Sequence, residues 1–213
     1  GKPRGAGFIF ILVFILTAVI FGVWKTEYFI YLILVAATML TGFLDDAAKS
    51  PWGEYKKGLL DLIIAVALAV TFLNFNDSTV TIELLNKTFT LNPVVFGILT
   101  VILVWVSINV TNCADGVDGL SGTLAVTSLL TIYVIDIVKN TQGALAWGEV
   151  QSFGYLILIF VICILGYLWF NATPSKLMMG DAGSRAMGFF ISIAVLKTGS
   201  PLLYLLVAIV LIM

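Results

Sequence analysis

The chain has 213 residues, 61% hydrophobic and 11% charged, with a formal net charge of −1. Soluble domains carry about 25% charged residues, so a chain this apolar cannot cover itself as a water-soluble globule, and its solvent is mostly lipid. The balanced charge excludes the broad basic field of a nucleic-acid binder.

In chain order, continuously apolar runs fall at about 6–23, 28–44, 58–75, 93–111, 119–138, 151–170, 186–197 and 201–213. A membrane helix needs roughly 17–25 apolar residues. Only helices and closed barrels satisfy their backbone in lipid. The runs are continuous rather than alternating, which predicts helices. The fold class is therefore all-α: a polytopic transmembrane helical bundle of seven complete spans plus part of an eighth. Between the third and fourth runs, Thr79–Leu84 and Lys87–Leu91 alternate in polarity and predict a small hairpin around Leu85-Asn86. The chain opens on Gly1-Lys2-Pro3-Arg4 and stops at Met213 inside an apolar run. The expectation is one transmembrane domain over 1–213, truncated at both ends.

If each run crosses once, one side of the membrane holds Lys2, Arg4, Lys49, Lys56, Lys57, Lys176 and Arg185, and the other Lys25, Lys87, Lys139 and Lys197. The positive-inside rule places the first side in the cytoplasm. Cys113 and Cys163 make no disulfide framework, and the absence of histidine from the chain removes the commonest general base and metal ligand.

Three segments on the first side hold the polar chemistry. They are Gly42-Phe-Leu-Asp45-Asp46-Ala-Ala-Lys49, then Asn109-Val-Thr-Asn112-Cys-Ala-Asp115-Gly116-Val-Asp118-Gly119, and last Asn171-Ala-Thr-Pro-Ser-Lys176-Leu-Met-Met-Gly180-Asp181-Ala-Gly183-Ser184-Arg185. Each alone has a plain explanation as helix caps or turns. Together they place five of the twelve acidic residues on one face, and carboxylates at the hydrocarbon boundary are costly and usually functional. Hard cations such as magnesium take oxygen ligands from carboxylates, phosphates and water, so a magnesium-clamped diphosphate fits this set. Lys49, Lys57 and Lys176 share the face and would neutralise phosphate. Glycines 116, 119, 180 and 183 would let backbone N–H groups approach it. No phosphate-binding G-x-x-x-x-G-K-[ST] loop occurs, which excludes a standard nucleoside triphosphatase.

These three segments, in this order and at these helix ends, resemble the polyprenyl-phosphate N-acetylhexosamine-1-phosphate transferases, over essentially the whole chain. The nearest branch makes the lipid-linked precursor of peptidoglycan from a UDP-linked phospho-N-acetylmuramoyl-pentapeptide donor. The resemblance implies a fold of about ten spans in the bacterial inner membrane, multi-pass, with a cytoplasmic active site, often dimeric. It implies a UDP-amino sugar and undecaprenyl phosphate as substrates, Mg2+ as cofactor, and UMP as a product. Carried over by position, Asp181 is the implied magnesium ligand and, with Asp45 and Asp46, a catalytic residue. Lys49, Lys57, Asn112, Asp115, Asp118, Asn171, Gly180 and Ser184 are implied to contact substrates, Asn171 beside Asp181. Whether Asp45 is a base or positions the lipid phosphate stays open, because a phosphate monoester is largely anionic above pH ~6 and needs little deprotonation. Asp61, where that branch usually carries glutamine, and Arg185, where an apolar residue is usual, leave the donor open to UDP-N-acetylglucosamine. An ion-coupled transporter is the reading of another class, but transporters place their carboxylates near the midplane rather than at one face.

Overall fold

The computed structural model describes residues 2–22, 24–50, 52–82, 87–140 and 152–202. Among the described residues there are seven helices: α1 (Ala6–Phe21), α2 (Thr26–Asp46), α3 (Glu54–Phe75), α4 (Pro93–Ala114), α5 (Leu120–Asn140), α6 (Ser152–Asn171) and α7 (Gly180–Lys197). Helices α2 to α6 are long and apolar enough to cross a membrane; α1 is apolar but only 16 residues long. The bundle is all-α and polytopic apart from one hairpin, β1 (Thr79–Ile82) against β2 (Lys87–Thr90), antiparallel with Thr79 opposite Thr90. The expected turn at Leu85-Asn86 and most of the last apolar run, 203–213, lie outside the described residues.

Helix starts follow local chemistry. Helix α4 opens with Pro93 in its first turn, and the Asn92 side chain accepts from Val94 N at 2.9 Å. That satisfies one orphan N–H and uses a residue that has none to offer.

Helix α7 begins at Gly180, six residues before the apolar run that predicts it, and is the centre of the bundle. It packs on α2 and α4, with α1 and α5 alongside. Small residues make this possible. A Cβ on Gly42 would lie 2.5 Å from the Asp181 backbone, one on Gly7 2.2 Å from Gly183 N, and one on Gly188 2.4 Å from the Ser107 carbonyl. Lipid supplies no hydrophobic force between helices, so close van der Waals approach and interhelical hydrogen bonds carry their association. Ser107 Oγ adds such a bond, donating to the Gly188 carbonyl at 2.6 Å. In the middle of the bundle Phe14, Phe160 and Phe190 form a ring cluster with centroids 4.5, 4.6 and 5.1 Å apart, each contact worth about 0.5–1.5 kcal/mol beyond its buried area. At the hairpin end Lys197 pairs with Glu27 at 3.0 Å and donates to Asn76 Oδ1 at 2.8 Å, tying α7 to α2 and α3. With both ends of α7 pinned, the polar residues of its first turn sit at a defined place, among the opposite ends of its neighbours.

Candidate active site

The C-terminal ends of α2, α4 and α6 and the N-terminal ends of α1, α3, α5 and α7 meet at one end of the bundle. Asp45 and Asp46 close α2, Lys57 lies in the first turns of α3, Asn112 in the last turn of α4, and Asp181 in the first turn of α7.

Asp45 is buried, at 6% exposure, and both of its oxygens are engaged. Oδ2 pairs with Lys57 Nζ at 2.6 Å, and Oδ1 accepts from Trp52 N at 2.7 Å. Lys57 Nζ also stands 3.7 Å from Asp181 Oδ2, so it bridges α2 to α7. Asp181 Oδ1 accepts from Asn112 Nδ2 at 3.1 Å, and the same amide donates to Ser184 Oγ at 2.9 Å. Asp46, exposed, accepts from Asp181 N at 2.8 Å. A carboxylate on α2 thus caps the positive N-terminal end of α7. Gly180 is required beside it: its φ is +70°, and a Cβ would fall 2.3 Å from Asp46 Oδ2.

Asp115 follows α4 and accepts from Ser121 Oγ, in the first turn of α5, at 3.0 Å. Burial pushes its carboxyl up to about 6, the Ser121 bond opposes that rise, and the charges of Asp181 and Asp46 add to it. Its coupling to both places it with the cluster. Between pH 7 and 5 Asp115 takes up a proton, and the cleft loses a negative charge. The affinity of the cluster for a divalent cation should therefore fall several-fold over that interval, and Asp115→Asn should flatten the dependence; cation-binding titrations at stepped pH check this.

The remaining site residues divide into organisers and free groups. Asn171 is buried and joins two loops: its Oδ1 accepts from Gly119 N at 2.8 Å, and its Nδ2 donates to the Leu177 carbonyl at 2.9 Å. Its described bonds run to those loops rather than to Asp181. Asp118 pairs with Lys2 at 2.6 Å. Lys49 and Lys176 are exposed and stand outside the ion pairs of the cluster.

Several contributors are invisible in the motifs. The segment before α1 pairs with the third motif, Met178 N donating to the Pro3 carbonyl at 2.9 Å and Gly7 N to the Met179 carbonyl at 3.0 Å. With the Lys2–Asp118 pair, this makes residues 2–7 a clamp over both polar loops. Only their small and basic character hinted at it. Ser121 and the Trp52 N–H carry no motif signal.

The donors of the cleft are oxygens, with Asp45, Asp46, Asp115 and Asp181 set against Lys57. That surplus of hard, negative donors fits a divalent cation such as magnesium. Among the described residues no group of three acidic, His or Cys side chains stands ready-made as a metal cage. A cation there would complete its shell with phosphate oxygens and water, as magnesium commonly does.

Residues 28–199 match the family model described as glycosyl transferase family 4. The chain belongs to glycosyl transferase family 4. Three curated relatives carry the name phospho-N-acetylmuramoyl-pentapeptide-transferase. That of Treponema pallidum (strain Nichols) is 39% identical over 97% of this chain and 60% of its own length. That of Clostridium botulinum (strain Alaska E43 / Type E3) is 31% identical over 97% and 63%, and that of Fervidobacterium nodosum 28% over 95% and 61%. The chain thus spans about three fifths of the length of these curated relatives. The matched region contains all three polar motifs and Lys57.

Proposed function

We propose that the full-length protein transfers phospho-N-acetylmuramoyl-pentapeptide from its UDP carrier to undecaprenyl phosphate in the bacterial inner membrane, with the cleft facing the cytoplasm. The observation that carries this reading is the convergence of Asp45 and Asp181 on Lys57, with Asp46 on the Asp181 backbone and Asp115 within reach of the charges of Asp46 and Asp181, at one end of a membrane bundle. The relatives' shared name supplies the donor.

In the reaction an anionic oxygen of the lipid phosphate attacks the sugar-bearing phosphorus of the donor. The bond from that phosphorus to the bridging oxygen breaks, UMP leaves with the electron pair, and a lipid-linked diphosphate sugar remains. No proton need be removed, because the attacking phosphate is already largely ionised at neutral pH. The obstacle is repulsion between two anions in a partly dry cleft. Magnesium, held by Asp181 with Asp46 beside it, would supply charge neutralisation of the diphosphate. Lys57, its Nζ 3.7 Å from Asp181, offers the phosphates a positive charge beside that metal. Both oxygens of Asp45 are already taken by Lys57 and the Trp52 N–H, which favours Asp45 as the positioner of Lys57 over Asp45 as a base. Lys49 and Lys176, exposed at the rim, meet incoming phosphate.

The donor is tested by UMP release from the purified full-length protein given undecaprenyl phosphate and either UDP-sugar. Turnover with the muramoyl-pentapeptide donor and none with UDP-N-acetylglucosamine supports the reading; the reverse preference overturns the donor while leaving the transfer.

A further inference from the structure

One helical turn below the cluster lies a further ion pair, buried away from solvent. Arg185 and Asp61 are 2% and 3% exposed, and Arg185 Nη2 donates to Asp61 Oδ1. The other terminal nitrogen, Nη1, is buried without a hydrogen-bond partner among the described residues. A buried pair of this kind is weak as a source of stability, because desolvation offsets its attraction. Its position gives it another role.

Asp61 follows Lys57 by four residues on α3, and Arg185 follows Asp181 by four on α7. Residues four apart on a helix share a face, about 6 Å apart along the axis. Lys57–Asp181 and Asp61–Arg185 are therefore two rungs of one ladder, with the charges reversed between rungs. Helix α3 packs on α2 and α4 rather than on α7, so these long side chains are what link its charged face to the central helix. The upper rung is loose, at 3.7 Å. The lower rung is the tight one.

We propose that Asp61 and Arg185 are a positioning pair for the reaction: the buried rung fixes α3 against α7 and thereby holds Lys57 between Asp45 and Asp181. The two residues act as a unit. Each is an oddity alone, an acid and a base buried beneath a membrane site, and among the described residues each is the other's ion-pair partner.

The inference rests on the transferase reading, and its test is made on the full-length protein. The double variant Asp61→Leu with Arg185→Met removes both charges and leaves neither unpaired, so the bundle keeps its fold and thermal midpoint. Its kcat should fall at least tenfold, with KM for the UDP-sugar changed less than threefold. Arg185→Lys should retain a third or more of the parent kcat, because a single nitrogen reaches Asp61 and a lysine can supply it. Parent-like kcat in the folded double variant overturns the proposal, as does an Arg185→Lys protein that is folded and as impaired as the double. If the double variant does not fold, Asp61→Asn with Arg185→Gln takes its place under the same criterion. Failure of that pair to fold also overturns positioning, since the charges would then be needed for folding itself. An inactive parent would instead count against the transferase reading.

Discussion

Asp181→Asn should lower kcat on the order of 1,000-fold while leaving the fold intact. The side chain keeps its volume, the bond from the Asp181 backbone N–H to Asp46 is untouched, and Asn112 can turn its amide to meet the new one. What disappears is the one carboxylate that faces Asn112, Lys57 and the end of α2 together. Removing a single preorganised charge-stabilising group from an active site costs about 100- to 1,000-fold, and a lost metal ligand belongs at the upper end. Steady-state UMP release at saturating magnesium checks this. The same variant should bind detergent-solubilised undecaprenyl phosphate much as the parent does, because Lys57, Lys49 and Asp45 remain. Full magnesium-dependent turnover in Asp181→Asn would remove Asp181 from the role of ligand.

The second large effect is expected at Lys57. Lys57→Met takes away the cation that links Asp45 to Asp181 and leaves Asp45 without its ion-pair partner. Turnover should fall about 100-fold, a loss of ~2.7 kcal/mol in transition-state stabilisation. The metal dependence should move the other way. A cleft that loses a positive charge attracts a divalent cation more strongly, so half-maximal activation should need less magnesium, not more. A fall in kcat with tighter metal binding separates a phosphate-facing lysine from a metal-site defect, in which both would worsen. Parallel losses of kcat and magnesium affinity would show that Lys57 acts mainly by shaping the metal site.

Much of this arrangement can be read from the chain alone, for identifiable reasons. Continuous apolar runs leave a membrane backbone little choice but helix, and seven of the eight expected runs correspond to helices. The three polar segments stand at helix ends, and helix parity alone collects them at one end of the bundle. Other features depend on partners that no local pattern discloses. The start of α7 at Gly180 rests on a cap supplied by Asp46 across the bundle, so hydropathy sets that boundary too late. The burial of charged Asp61 and Arg185 makes sense only when both are seen together; taken singly they look like substitutions that alter the donor. Paired and buried, they lie one helical turn below Lys57 and Asp181. The clamp formed by residues 2–7 is a backbone pairing with Met178 and Met179, and backbone pairings of this kind leave little trace in side-chain type. Asn171 sits in a recognisable motif, yet its described bonds organise the loops at Gly119 and Leu177.

In the proposed reaction, segments far apart in the chain form one oxygen-lined site that grips a metal together with a diphosphate. The most direct measurement replaces magnesium with Mn2+ in the full-length protein and records phosphorus-31 hyperfine coupling in the presence of the UDP-sugar donor. Coupling to the donor phosphates is expected in the parent, and its loss in Asp181→Asn. Coupling of unchanged size in Asp181→Asn, or none in an active parent, would contradict this reading.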